Sequence, residues 1–190
     1  MKLWCALVAA VLVTSGCATA RLVDSQVQSF APMSIEPGSR YRFERLPSQN
    51  TPEQDQLEQL AKSALSKVGL QWGGESAALL IQVQGGTLMQ KQRSPNHLDL
   101  RLGWMFSRGV LSLHQQDIWA DLHTQTVYLR QVSLVIRDAS GRAVHYETQA
   151  SHQGIWSDDA AIFGALFDAA LDGFPKASNG ARRVNITIPR

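Results

Sequence analysis

The residue types that could do chemistry are present in this sequence, but seldom at useful spacing. Five histidines, His97, His114, His123, His145 and His152, could hold a divalent metal or move protons. Metal ligands on one element need close spacing, and no His-x-His, His-x-x-x-His or His-Glu-x-x-His occurs. His145 and His152 differ by seven, which on one continuous strand places them on opposite faces. Asp117 and Asp121 could join His114 on one face only if that stretch were helical. A serine nucleophile would need an elbow, and no Gly-x-Ser-x-Gly is present. The pairs Gly73-Gly74 and Gly85-Gly86 lack the Lys-Ser/Thr that completes a phosphate cradle, so they read as turns or bulges. Arg182-Arg183 reads as an exposed pair on a last strand rather than a ligand clamp. No catalytic residue, metal site or cofactor is assigned on these grounds.

Two cysteines remain, and one of them has a suggestive setting. Lys2 precedes an almost wholly apolar stretch over residues 3–13 (LWCALVAAVLV). As a helix this would rise about 16 Å, roughly half a hydrocarbon core, which is the proportion of a secretory signal peptide and not of a membrane span. Cys5 lies inside it and would leave with it. Thr14-Ser15-Gly16-Cys17 follows, and this resembles the bacterial lipobox, although Thr14 stands where that pattern prefers Leu. The resemblance implies cleavage before Cys17 and acylation of its sulfur. An ordinary signal peptide with a chance cysteine near the cut is the competing reading. Lipidation would also remove a lone thiol from an oxidising compartment. Ala18 follows the cysteine, and by the same resemblance the absence of Asp there points to the outer membrane. The organisation expected is a signal peptide over 1–16, a short tether over 17–22 and one domain over 23–190.

The rest of the composition is that of a globular domain, with 44% hydrophobic and 18% charged residues among 190. Eighteen basic and 16 acidic residues leave a formal charge of +2, which gives no ground to expect nucleic-acid binding. Alternation predicts strands over 22–30 and 40–46, with Tyr41, Phe43 and Arg45 on one face. Thr51, Pro52 and Gln54 mark a helix start, with Gln54 completing a capping box. Leu57, Leu60, Ala61, Ala64, Leu65 and Val68 then form its apolar stripe, and Glu53, Glu58, Lys62 and Lys67 its polar side. Gly69 should stop it.

Further strands are expected over 77–84, resuming past a bulge at Gly85-Gly86 to about 92, and over 98–106. Residues 126–137 and 142–150 flank Asp138-Ala-Ser-Gly141 and predict a hairpin. A second helix should start at Ser157, Asp158 and Asp159, bury Ile162, Phe163, Leu166, Ala169, Ala170 and Leu171, and end at Gly173 and Pro175. Residues 183–188 close with Val184, Ile186 and Ile188 on one face. This order predicts an α+β fold, a largely antiparallel sheet covered on one face by two helices. Trp156 reads as a packing residue beside the second helix. Trp104, Met105, Phe106 and Trp119, within 98–123, are either core aromatics or a partner-binding surface.

Taken together, the lipobox, the helix before Leu-Leu-Ile-Gln-Val, the Asp-x-x-Gly hairpin and the ending Gly173-Phe174-Pro175, Asn179-Gly180 and Arg183-Val184 resemble a family of Gram-negative envelope lipoproteins, DUF4136, defined as a domain of unknown function. The resemblance implies an α+β fold and an envelope location, and carries no catalytic residue. The expected role is non-catalytic binding or assembly at the inner face of the outer membrane. Its partners would be the membrane through the lipid and an envelope protein, peptidoglycan or lipid. A small-ligand carrier or a hydrolase with an unrecognised site are the alternatives.

Overall fold

A computed structural model of the chain describes residues 20–93, 124–178 and 180–189. The expected strand over 98–106 and the mixed stretch to 123 lie outside the described residues. The strands are β1 (Ala20–Phe30), β2 (Arg40–Phe43), β3 (Gln71–Trp72), β4 (Leu79–Arg93), β5 (Thr124–Asp138), β6 (Val144–Gly154) and β7 (Arg182–Pro189). The helices are α1 (Pro52–Lys67) and α2 (Asp159–Ala170). All the strands join one sheet in the order β3-β2-β4-β5-β6-β1-β7.

The fold is α+β, but the sheet is mixed where a largely antiparallel one was expected. β2 runs parallel to both β3 and β4, whereas β4–β5, β5–β6, β6–β1 and β1–β7 are antiparallel. The cause is α1. A chain that leaves β2, climbs a helix and returns to the same sheet re-enters in the same direction. β1 is drawn between β6 and β7, two strands far from it in sequence.

Local signals account for most boundaries. Thr51 Oγ1 accepts from Gln54 N at the start of α1, and Pro52 takes the first helical position. The expected reciprocal half of the box does not form. Gln54 turns inward instead, its Nε2 donating to Val83 O at 3.1 Å and to Glu58 Oε1 at 3.2 Å. Glu58, expected on the polar side, is buried and receives Arg45 Nε and Nη2, both at 2.6 Å. A helix lying over the end of a strand ladder must satisfy that carbonyl, and a buried carboxylate then needs its own cation. The β5–β6 turn closes on Asp138, whose Oδ1 accepts from Arg142 N and Ala143 N, with Gly141 at φ +71.

The core lies between the helices and one sheet face. α2 spreads over β1, β5, β6 and β7 and buries Ile162, Phe163, Leu166, Phe167 and Ala170. α1 packs on β4 and α2 with small residues, Ala61 and Ala64, at the contact. At the β2 edge Tyr41 is buried against the rings of Phe43 and Trp72, 5.4 and 5.6 Å away, and burial pushes its phenol up to about 12. No bulge forms at Gly85-Gly86: β4 pairs with β5 without a shift, and the irregularity falls at Ile136/Arg137. Gly85 serves another purpose, since a Cβ there would stand 2.9 Å from Leu57 Cδ2. Its missing side chain lets α1 approach the sheet. Gly85→Ala should destabilise the fold by about 1 kcal/mol. A double-mutant cycle with Leu57→Ala, read by urea unfolding, should find the two changes non-additive.

Candidate functional site

Toward the end of the sheet where β1 begins, the helix-facing side changes from apolar to polar. Val83 and Leu134 pair in one row, and Gly85, Val132 and Ala150 follow in the next. The row after that holds Thr87, Arg130 and His152, with Ser25 continuing it on β1. Arg130 and Ser25 are 0% exposed and His152 is 8% exposed, so this row is interior from β5 to β1 despite its polarity, while Thr87 at its β4 end is exposed.

A fully buried guanidinium is tolerable only with close partners. Arg130 Nε donates to Asp159 Oδ1 at 2.5 Å, and Nη2 donates to the Trp156 carbonyl at 2.7 Å. Its cationic carbon lies 4.9 Å from the centre of the Tyr128 ring. Thr87 Oγ1 adds a longer bond, 3.4 Å, to the same carboxylate oxygen. Nη1 is buried with no hydrogen-bond partner among the described residues.

A second arginine closes the rim. Arg21 Nη1 donates to Asp158 Oδ1 at 2.9 Å and Nη2 to Oδ2, while its guanidinium lies 5.1 Å from the Trp156 ring centre. The bond from Arg21 holds the Asp158 carboxyl below its ordinary range, and the same bond raises Arg21. Asp158 occupies the cap position of α2 but makes no capping bond with its side chain. The acids expected to suit the helix's positive end do lie there, and each is also claimed by an arginine from the sheet. Trp156, expected to pack, is 39% exposed and forms the outer wall of this arrangement.

The row offers little for catalysis. Ser25 Oγ is buried and unpartnered among the described residues, and its 0% exposure keeps substrate away. The His152 ring bonds through Nδ1 to Asp24 O at 2.7 Å, and its Nε2 fills the space a Cβ on Gly154 would take. Among the described residues no group of three or more His, Cys, Asp and Glu side chains could hold a metal. At the opposite end of α2 an open groove of about 410 Å³, lined by Ala64, Val68 and Phe174, is crossed by the Lys67–Asp168 ion pair.

Of the residues singled out by sequence, Cys17, Trp104, Met105, Phe106 and Trp119 lie outside the described residues. The ends from which the aromatic stretch leaves, Arg93 and Thr124, pair with each other. His145 and His152 do fall on opposite faces of β6, His145 beside Ser34 O and His152 inside. Arg182 is tied to Asp172, and Arg183 is exposed. Sequence reasoning missed Arg21, Arg130 and Ser25. The signal was available in parity: Arg130 alternates with Val132, Leu134 and Ile136, and Ser25 sits between Val23 and Val27.

No family model and no curated protein matches this chain. Among solved structures, a PDZ domain protein from Parabacteroides distasonis is similar at 12% identity and TM-score 0.51, over 95% of this chain and 42% of that one. This chain therefore spans less than half of that protein, and the likeness shows a shared fold alone. A PelC dodecamer from Paraburkholderia phytofirmans (12% identity, TM-score 0.45, covering 77% and 95% of the two chains) is more distant. So is a minor lipoprotein from Acinetobacter baumannii (14%, TM-score 0.37, covering 69% and 84%). The last two scores are too low to carry an argument.

Removing Asp159 leaves the Arg130 charge buried without its carboxylate. Asp159→Ala should destabilise by about 2 kcal/mol in urea titrations, less than the roughly 3–5 kcal/mol of a fully buried pair because Asp159 is half exposed. Asp158 supplies a pH test. Its carboxyl is depressed in the folded state, so its contribution is present above the unfolded value and lost as pH falls through the folded one. The urea midpoints of wild type and Asp158→Asn should differ at neutral pH and converge well below about pH 3.9.

Proposed function

We propose that this chain is a lipid-anchored, non-catalytic module of the Gram-negative envelope, held by Cys17 at the periplasmic face of the outer membrane. The observation that carries the reading is Thr14-Ser15-Gly16-Cys17 directly after a short apolar stretch. No helix among the described residues is long and apolar enough to cross a membrane. Two acyl chains suffice for stable attachment, at about 0.8 kcal/mol per buried methylene. Confinement to a plane raises the effective concentration for a partner there, an envelope protein, peptidoglycan or lipid. A hydrolase built on Ser25 and His152 would need an opening that their burial denies. A carrier would need an enclosed apolar chamber, and the groove at the helix ends is open and charged.

The test is metabolic labelling with an alkyne fatty acid, followed by separation of inner and outer membranes. The native chain should take up label and fractionate with the outer membrane. Cys17→Ala should stay unlabelled, folded and released from membranes. Membrane retention of the unlabelled variant would defeat the reading.

A further inference from the structure

The two margins of the sheet are finished differently. On one side the outermost strand, β3, has two residues and its neighbour β2 has four, a ladder too short to recruit a further strand. Beyond Ile81 the outer side of β4 also faces no strand among the described residues, but there Gly85-Gly86 weakens it and the exposed Lys91 guards it. The other margin is β7, eight residues long. It pairs with β1 from Arg182 to Pro189 without a register shift and has no strand beyond it among the described residues. Its outward N–H and C=O groups therefore form a straight row that another strand can meet. Nothing in the middle of β7 protects it: Val184-Asn185-Ile186-Thr187-Ile188 carries no charge, no proline and no bulge, and every residue but Asn185 is β-branched. Arg182 and Arg183 stand at one end and Pro189 at the other. An uncharged β-branched run on an open edge is the signature of pairing between chains.

The side chains say which strand it meets. Facing the helices, Val184 and Ile188 are each 9% exposed, whereas Ile186 between them is only partly covered. On the open face Arg183, Asn185 and Thr187 are exposed. An antiparallel copy of β7, placed on a two-fold axis through Ile186, sets Ile186 against its own counterpart, Val184 against Ile188 and Asn185 against Thr187. Directly opposite residues of an antiparallel pair share a face, so apolar meets apolar beneath the helices and amide meets hydroxyl on the open side. Each Arg183 comes opposite Pro189. The two Arg183 side chains are thereby kept about 20 Å apart along the seam, past the screening length of about 8 Å. The edge is complementary to itself in shape, polarity and charge.

We infer that β7 is the seam of a two-fold homodimer. Antiparallel pairing of two β7 strands about Ile186 joins the sheets of two copies into one, with the helices of both on the same face. The contact is isologous, so it uses up both β7 edges and ends the assembly at two. The axis is normal to the sheet, so both chain starts lie at one height along it and a single membrane can hold them. The inference needs no anchor and adds a second copy to the module proposed above.

The experiment uses the full chain, expressed with its signal segment, purified in a mild detergent and followed by density-matched sedimentation equilibrium. The native chain should be a dimer at micromolar concentration. Asn185→Lys combined with Thr187→Lys sets like charges opposite one another across the seam, at exposed positions that leave the core alone. It should raise the dissociation constant by about tenfold or more, with the circular dichroism unchanged. Oxidative cross-linking tests the register independently of that variant, with the native chain as the blank. Ile186→Cys should give a disulfide-linked dimer, because directly opposite Cα atoms lie about 5 Å apart. Thr187→Cys should not, its twin standing about 8 Å away on the diagonal. A native chain that sediments as a monomer overturns the seam and leaves β7 to a strand of another protein. A dimer that the lysine pair leaves intact overturns it too, as does one that cross-links at Thr187→Cys and not at Ile186→Cys.

Discussion

Two helices of 16 and 12 residues have to cover one face of a sheet whose longest strands have 15 residues. A 12-residue helix is about 18 Å long, whereas a 15-residue strand extends nearly 50 Å. The strands must therefore outrun their cover. α2 shows where each limit falls. Its last carbonyl region meets β6 at Thr148, whose Oγ1 donates to Ala170 O at 2.8 Å. Its first residue, Asp159, meets Arg130, which lies opposite His152, four positions along the same strand. Beyond that row the helix has nothing more to offer the sheet.

An abrupt end to a core is a problem of water access, and here polar side chains close it. The row of Thr87, Arg130, His152 and Ser25 sits under the first turn of α2, where free backbone N–H groups leave a partial positive charge. Asp158 and Asp159 meet that charge and at the same time neutralise two arginines from different strands. The strands β1 and β5 are not neighbours, so the pairs tie together elements that the sheet ladder does not join directly. Such a closure is specific rather than strong, because desolvating the ions offsets most of their attraction. Its consequence is geometric: outside it β4 and β5 run on, paired with each other, beyond the reach of the short helix.

The opposite side of the helix layer is closed differently. Beside Leu57 and Leu65, α1 turns Gln54 and Glu58 inward, toward the Val83 carbonyl just beyond the last β2–β4 pair. Arg45 supplies the balancing charge from the segment after β2. Tyr41, Phe43 and Trp72 then fill the edge left open by the two short parallel strands, with Lys62 over the indole. Both margins of the core are thus sealed by an arginine–carboxylate pair together with aromatic rings.

Local rules were enough for the local elements. Thr51-Pro52 and Gly69 bound α1, Asp138 and Gly141 set the hairpin, and the alternation of Val184, Ile186 and Ile188 marked the last strand, because caps, turns and face periodicity involve only near neighbours in the chain. The α+β class followed from the order of those elements. Strand order and direction were not legible: the parallel seating of β2, through pairs such as Tyr41 with Leu79, and the insertion of β1 between β6 and β7, across more than a hundred residues, both depend on which apolar faces meet. The same holds for chemistry that turns on burial. Parity was enough to put Arg130 and Ser25 on the inner face, a signal the sequence reading passed over, yet only the packed helix shows that Arg130 lies at the end of the core with Asp159 to receive it. Glu58 went the other way, from an expected surface residue to a buried one, because a strand carbonyl and an arginine waited there. A sequence records which side of a strand or helix a residue occupies; whether that side meets water or another layer is decided when the layers close.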